Sequence, residues 1–257
     1  MKIASLSRQG GRPYNEDVFG QWNDGRFVAC VVADGAGGHG GGDVAADIAR
    51  TSVLAGFAAG PGLQGDRLRG LLTQANRDVV ARQAEGGRLA EMRTTLVLAA
   101  VDLQDGELAW AHAGDSRAYL FRDGAQLART VDHSLVQQLV NSGLIDEEGA
   151  RLHPHRNLLL SALGAPDGVL DIDVSGRMPV APGDAVLLCS DGVWEVLGDT
   201  VLRETFRASR DPDEWIGRID AEVAAQAEPG NDNYTAVVLW LYAGEPASRP
   251  AMPAAGD

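Results

Sequence analysis

The stretch Phe27–Gly42 reads FVACVVADGAGGHGGG. Its first seven residues, Phe27 and then six small or branched ones, are apolar without alternation, the composition of a strand buried on both faces. The run ends on Asp34-Gly35 and a glycine-rich loop. Asp43–Phe57 then reads as an amphipathic helix opened by an N-cap-type Asp43. The motif returns at Ala185–Gly192, AVLLCSDG, where a second apolar run stops on Asp191-Gly192.

Further runs of strand length lie at Thr94–Leu103, Glu107–Ala113, Arg117–Arg122 and Tyr234–Tyr242. Asp105-Gly106 and Asp123-Gly124 fall between neighbouring runs and read as hairpin turns. Asp66–Glu85 carries a helical stripe of Leu68, Leu71, Leu72, Ala75 and Val79. Shorter helical patterns cover Ser134–Ser142, Asp146–Leu152, Asp199–Ser209 and Asp213–Gln226. Strands at both ends with helices in two blocks between them predict an α+β fold. No linker divides the chain, so residues 1–242 read as one domain. Residues 243–257, rich in Pro and Ala, read as a disordered tail.

The chain has 257 residues, with 22 Lys and Arg against 36 Asp and Glu, a formal net charge of −14. Such a surface repels nucleic acid and anionic membrane, and no basic cluster offsets it. Met1–Leu6 lacks the apolar core of a signal peptide, and no apolar run reaches the roughly 20 residues of a membrane span. Cys30 and Cys189 each sit in an apolar run and read as buried free thiols. The expectation is a cytoplasmic monomer.

Six Asp-Gly pairs occur, at 24, 34, 105, 123, 167 and 191. Most read as turns. The pairs at 34 and 191 differ, because each ends an unbroken apolar run, where a bare carboxylate is costly. Asp115, in AHAGDSR, and Asp232, in GNDNYT, also stand at the ends of strand runs. Two packed sheets can bring these four carboxylates to one edge. Oxygen ligands of this kind suit Mg²⁺ or Mn²⁺, and no His or Cys pair at zinc spacing is present. Gly10–Phe19 adds Arg12, Asn15, Glu16 and Asp17, and an arginine fork beside such ligands suits a phosphate. The glycine loop lacks the ending of a nucleotide P-loop, so its glycines are read as letting backbone approach a metal.

These segments together resemble the metal-dependent protein phosphatases of type 2C, in particular the compact bacterial serine/threonine phosphatases. The matching pieces are Arg12 with Asn15-Glu16-Asp17, VADGAGGHGGG at 32–42, RTTL at 93–96, AGDSRAYLF at 113–121, DHS at 132–134, LLLSALG at 158–164, LLCSDGVWEVL at 187–197 and DNYTAVVL at 232–239. They occur in that family's order over almost the whole chain. The resemblance implies a central antiparallel β-sandwich flanked by helices on both sides. It implies a two-metal centre of Mn²⁺ or Mg²⁺: Asp34, Asp191 and Asp232 on the first ion, Asp34 and the Gly35 carbonyl on the second. A third, looser ion sits near Asp115 and Asp191. Glu16 and Asp17 stand one layer out, holding metal-bound waters, with Asn233 in the same layer. Arg12 binds the substrate phosphate, and residues 141–157 match a flap beside the site.

The implied reaction is hydrolysis of phosphoserine and phosphothreonine in proteins, by a metal-bridged hydroxide attacking phosphorus in line. Ala36 occupies the position where eukaryotic members carry histidine, leaving His39 as the candidate general acid and a metal-bound water as the alternative. Implied partners are phosphoproteins, including a Hanks-type serine/threonine kinase. A forkhead-associated domain protein in a type VI secretion context is a further implied partner. The competing reading is an inactive phosphatase-like binding module. It expects losses among the metal-site aspartates, and none is lost.

Overall fold

The computed structural model describes residues 1–36, 40–146, 149–150, 152–166, 168–226 and 228–242. One antiparallel sheet joins β1 (Lys2–Arg8), β12 (Tyr234–Trp240), β11 (Ala185–Cys189), β7 (Arg117–Arg122) and β8 (Ala125–Arg129), in that order. The other joins β10 (Met178–Pro179), β6 (Glu107–Ala113), β5 (Leu96–Asp102), β3 (Phe27–Ala36) and β2 (Asp17–Asn23). Two short strands extend it, β4 (Arg93–Thr94) on β3 and β9 (Asp173–Val174) on β6.

The unbroken apolar runs have a simple cause. Along β3, Val28, Cys30 and Val32, with Val97 of β5 beside them, face the opposite sheet, where they meet Leu120, Val186, Leu188 and Val237. The alternate residues Ala29, Val31 and Ala33 face helices α1 (Gly42–Ala58) and α2 (Gly65–Gln83). On the other sheet, Tyr119, Phe121, Leu187 and Trp240 pack under α4 (Asp191–Arg207) and α5 (Pro212–Gln226). Each central strand is therefore covered twice, and period-2 alternation disappears from its sequence. The architecture is the α+β sandwich with helices on both faces. A fifth helix, α3 (Leu135–Asn141), follows β8. Cys30 and Cys189 are buried free thiols, and burial pushes the Cys30 thiol up to about 12.

Several boundaries shift for identifiable reasons. The run 94–103 splits at Thr95, whose amide donates to the Asp34 carbonyl instead of continuing a strand. Asp43 lies in the first turn of α1, and Gly41, at φ 102°, takes the cap position. Helix α4 begins at Asp191 rather than Asp199, and the sequence pattern was broken by a kink at Gly198, φ 64°. The Asp123-Gly124 hairpin takes positive φ at both positions, as a two-residue I′ turn requires. The expected tail at 243–257 lies outside the described residues. Among the described residues no helix is long and apolar enough to cross a membrane.

Candidate active site

At one end of the sandwich a cleft of about 340 Å³ is lined by residues from seven segments, among them Arg12, Glu16, Asp34, Asp115, Asp191 and Asp232. Gly35, Asn157, Leu159 and Asn233 also line it. The topology explains the gathering. Asp34 lies near the end of β3, Asp115 in the turn from β6 to β7, Asp191 two residues after β11, and Asp232 two residues before β12. Those four chain positions fall at the same edge because the strands are antiparallel neighbours in two stacked sheets.

The sequence also supplies the means of holding each acid. Thr94 Oγ1 donates to the Asp34 carbonyl at 2.9 Å, and Thr95 Oγ1 accepts from the Asp34 amide at 3.1 Å. Asp17 stands directly across the ladder from Asp34, and Ser190 Oγ donates to its Oδ2 at 2.6 Å. Trp194, one turn into α4, donates its indole N–H to the Asp115 carbonyl at 2.9 Å. Its ring also lies under the Arg117 guanidinium, at 3.5 Å. Arg117 is itself turned away from the cleft, into a bidentate pair with Asp132 at 2.8 and 2.7 Å. Gly35 and Gly42 pack backbone to backbone: a Cβ on Gly35 would stand 2.2 Å from the Gly42 carbonyl oxygen.

Asn233 ties the N-terminal loop to β12. Its Oδ1 accepts from the Glu16 amide at 2.9 Å, while Nδ2 donates to the Gln9 and Tyr14 carbonyls at 2.6 and 3.0 Å. That loop carries Arg12, which is half exposed at the rim and donates to Asp232 Oδ2 at 2.6 Å. His39 lies outside the described residues, as do 147–148 and 151 of the expected flap. Thr94, Thr95, Ser190, Trp194 and Glu195 belong to the site although their roles were not read from the sequence. RTTL and LLCSDGVWEVL marked their positions, but what they hold depends on contacts distant in the chain.

The electrostatics are those of acids in want of cations. Burial drives Asp34 and Asp191 well above the usual carboxylate range, with Asp191 adding to the rise of Asp34 and Asp115 to that of Asp191. Asp17 is raised to about 6 by burial, against the pull of the Ser190 hydroxyl. Asp115 is raised to about 7 by burial, with Asp132 adding to the rise. Burial also raises Glu16 and Glu195. Glu16 Oε1, Asp17 Oδ1 and Asp191 Oδ1 are buried without a hydrogen-bond partner among the described residues. Buried polar atoms are rarely left so. All the donors are oxygens, so the set fits hard divalent ions. No three of these acids bring their oxygens within 4.8 Å of one another among the described residues. An ion shared by three of them would draw those oxygens closer together.

The comparisons with known proteins agree with this geometry. The family model described as protein phosphatase 2C matches residues 7–226. The serine/threonine phosphatase stp of Listeria monocytogenes is 32% identical over 235 residues, 89% of this chain and 90% of that protein. The solved catalytic domain of the serine/threonine protein phosphatase PstP, in complex with two manganese ions, superposes with a TM-score of 0.78. It is 29% identical over 94% of this chain and 98% of that one. PppA, a regulatory component of the type VI secretion system in Pseudomonas aeruginosa, gives a TM-score of 0.75 at 29% identity, covering 94% and 97%. With a model match over most of its length and a relative above 30% identity, the chain belongs to the protein phosphatase 2C family and is a protein serine/threonine phosphatase.

Proposed function

We propose that the cleft hydrolyses phosphoserine and phosphothreonine on proteins with two bound Mn²⁺ or Mg²⁺ ions. The observation that carries the reading is the set of buried, partnerless carboxylate oxygens at one sandwich edge with a half-exposed arginine beside them. Asp34, Asp191 and Asp232 would hold the first ion, Asp34 and the Gly35 carbonyl the second, and Asp115 with Asp191 a looser third. Bound divalent cations supply a hydroxide-like nucleophile near neutral pH and neutralise phosphoryl charge.

The chain's own residues do the remainder. Arg12 exchanges its Asp232 partner for the phosphate, its planar fork matching two phosphoryl oxygens. Asn233 holds the Arg12 loop against β12. Glu16 and Asp17 accept hydrogen bonds from ordered water in the cleft, Asp17 fixed in orientation by Ser190. Thr94 and Thr95 lock the main chain of Asp34, so the site is built before substrate arrives. His39 is the candidate proton donor to the leaving group. The substrates include phosphoproteins made by a Hanks-type kinase. The likeness to PppA supports a place in type VI secretion. The target proposed there is a forkhead-associated domain protein.

The test is turnover of a phosphothreonine peptide with Mn²⁺, then with excess chelator. Turnover that the chelator removes and Mn²⁺ restores is expected. A folded chain with no turnover under either Mn²⁺ or Mg²⁺ overturns the proposal.

A further inference from the structure

Outside the carboxylate cleft, three other groups converge: His112 near the end of β6, His133 in the turn between β8 and α3, and Asp173 on β9. A ring nitrogen of each histidine and a carboxylate oxygen of Asp173 all lie within 4.8 Å of one another, the one such group of three acids or histidines among the described residues. His133 Nε2 stands 3.2 Å from Asp173 Oδ2, and the two imidazoles stack with centroids 4.6 Å apart. The ligands come from positions 21 and 40 residues apart, so no zinc spacing appears in the sequence.

His112 is the informative member. It is 3% exposed. Its Nε2 lies 2.8 Å from the Val131 carbonyl, and a carbonyl only accepts, so Nε2 carries the proton and Nδ1 keeps the lone pair. That Nδ1 is buried and has no hydrogen-bond partner among the described residues. Burial also lowers the affinity of this ring for a second proton, so the imidazole stays neutral, the form that binds metals. A basic nitrogen without a partner, beside a histidine–aspartate pair, is an open ligand position.

We propose that His112, His133 and Asp173 bind one divalent transition-metal ion of the zinc type, distinct from the ions of the carboxylate cleft. Two imidazoles and a carboxylate, completed by water, are a ligand set of zinc, whereas all-oxygen sets take Mg²⁺ or Mn²⁺. The two sites therefore select different ions. The contact of His112 Nε2 with a backbone carbonyl is the arrangement that orients metal-bound histidines. The Asp173 side chain is 61% exposed and gives the ion its entry from solvent.

Binding has an identifiable cost. Bonds of about 2 Å to one ion draw the ligand atoms together to about 3.3 Å and turn the His133 ring out of its stack, so that its lone pair meets that of His112; exposed Asp173 and the loop-borne His133 supply that movement. His133 Nδ1 accepts a long bond, 3.4 Å, from the Gly114 amide. Metal at Nε2 moves the ring proton to Nδ1, and that bond is given up. The consequence reaches the cleft. The His133 amide donates to the Gly114 carbonyl at 3.0 Å, one residue before Asp115, and Leu160 donates to the His133 carbonyl at 2.8 Å, next to cleft-lining Leu159. An ion here pins both segments.

The test titrates Zn²⁺ into the full chain in saturating Mg²⁺, following heat of binding and the ¹⁵N signals of the histidine rings. One equivalent is expected to bind and to move the ring signals of His112 and His133 together with the Gly114 amide. Asp173→Ala, at an exposed position that leaves the fold intact, weakens that event at least about tenfold, as losing one of three ligands should. His112→Asn, if folded, removes it. No zinc binding, or zinc binding that leaves the ring signals in place or is unchanged in Asp173→Ala, overturns the proposal. The pair is then a hydrogen-bonded stack. The ring signals report this site whether or not Mg²⁺ fills the cleft, so failure here is separable from failure of the phosphatase reading.

Discussion

The two ends of the sandwich carry the same side chain in the same relation to the strands and treat it in opposite ways. At the end away from the cleft, Asp102 closes β5 and Asp184 precedes β11. Arg26 meets Asp102 at 2.7 Å, and Arg122 grips Asp184 through two contacts of 2.7 Å. At the cleft end, Asp34, Asp115 and Asp191 form no ion pair among the described residues, although Arg117 stands two positions from Asp115. The hydrogen bond from Arg26 holds Asp102 below the usual carboxylate range, while Asp115 rises to about 7. A strand-end aspartate is therefore not a functional signal in itself. A buried one without a cationic partner is; the more exposed Asp232, paired with Arg12 at 2.6 Å, is the exception at the cleft end.

The sharpest way to break this comparison is to neutralise one acid at each end. Asp34→Asn or Asp191→Asn should lower phosphopeptide turnover by at least about 10³-fold, the scale of losing preorganised charge stabilisation. In chelator, neither variant should be less stable to urea, because each removes an uncompensated buried charge. Arg122→Met at the other end should do the reverse. It leaves the fully buried Asp184 without its cation, and unfolding should become easier by about 3 kcal/mol. Turnover per folded molecule should be unchanged. A urea midpoint that holds in Arg122→Met, or turnover that survives in Asp191→Asn, would remove the distinction.

Metal should act on one end only. Adding Mn²⁺ at about 100 times its dissociation constant should stabilise the chain by about 2.7 kcal/mol. The gain should vanish in Asp191→Asn and persist in Arg122→Met. A thermal shift of equal size in both variants would place the ion elsewhere.

The sequence carried one end of this contrast better than the other. Doubly buried strands such as β3 and β11 were legible because each is an unbroken apolar run that ends at an Asp-Gly, seven residues before Asp34 and five before Ser190-Asp191. The cleft acids were legible for the same reason. β1 and β2 were not, because KIASLSR and DVFGQWN bury only scattered residues on exposed edges. The supports of the site were also hidden. Ser190 bonds Asp17 from 173 residues away, and Thr95 bonds Asp34 from 61. Asp102 and Asp184 gave no hint of their arginines, since Arg122 reaches Asp184 only through the pairing of β7 with β11. Partnering is a tertiary property, and local pattern does not contain it.

The ends should also titrate in opposite senses. An acid raised in the folded chain binds its proton more tightly there than when unfolded. Its contribution is full below the ordinary carboxylate range and is lost as pH rises through the folded value. Asp17 and Asp115 put that loss near pH 6 and pH 7. Asp102, lowered by Arg26, contributes above the ordinary range and loses its share only in strong acid. The chelated chain should therefore weaken between pH 5 and pH 8, with Mn²⁺ flattening the slope. A chelated chain that gains stability over that window would contradict the unpaired-acid account.

The smallest expected effect concerns how the cleft end is anchored without a cation. Arg122 fastens its end with charge, and a fixed arginine inside the cleft would compete with the metals for the carboxylates, as Arg12 does at Asp232 until a phosphate draws it away. Asn233 does that work while neutral, with two donors on the Gln9 and Tyr14 carbonyls and an acceptor for the Glu16 amide. Hydrogen bonds of this kind are worth about 1 kcal/mol each. Asn233→Ala should therefore loosen the Arg12 loop and raise KM for a phosphopeptide by about five- to tenfold, with a smaller change in kcat. Asn233→Asp keeps the acceptor, loses both donors and adds a like charge, so it should be the worse of the two. If kcat falls and KM holds instead, Asn233 acts on the carboxylates rather than on the loop that carries Arg12.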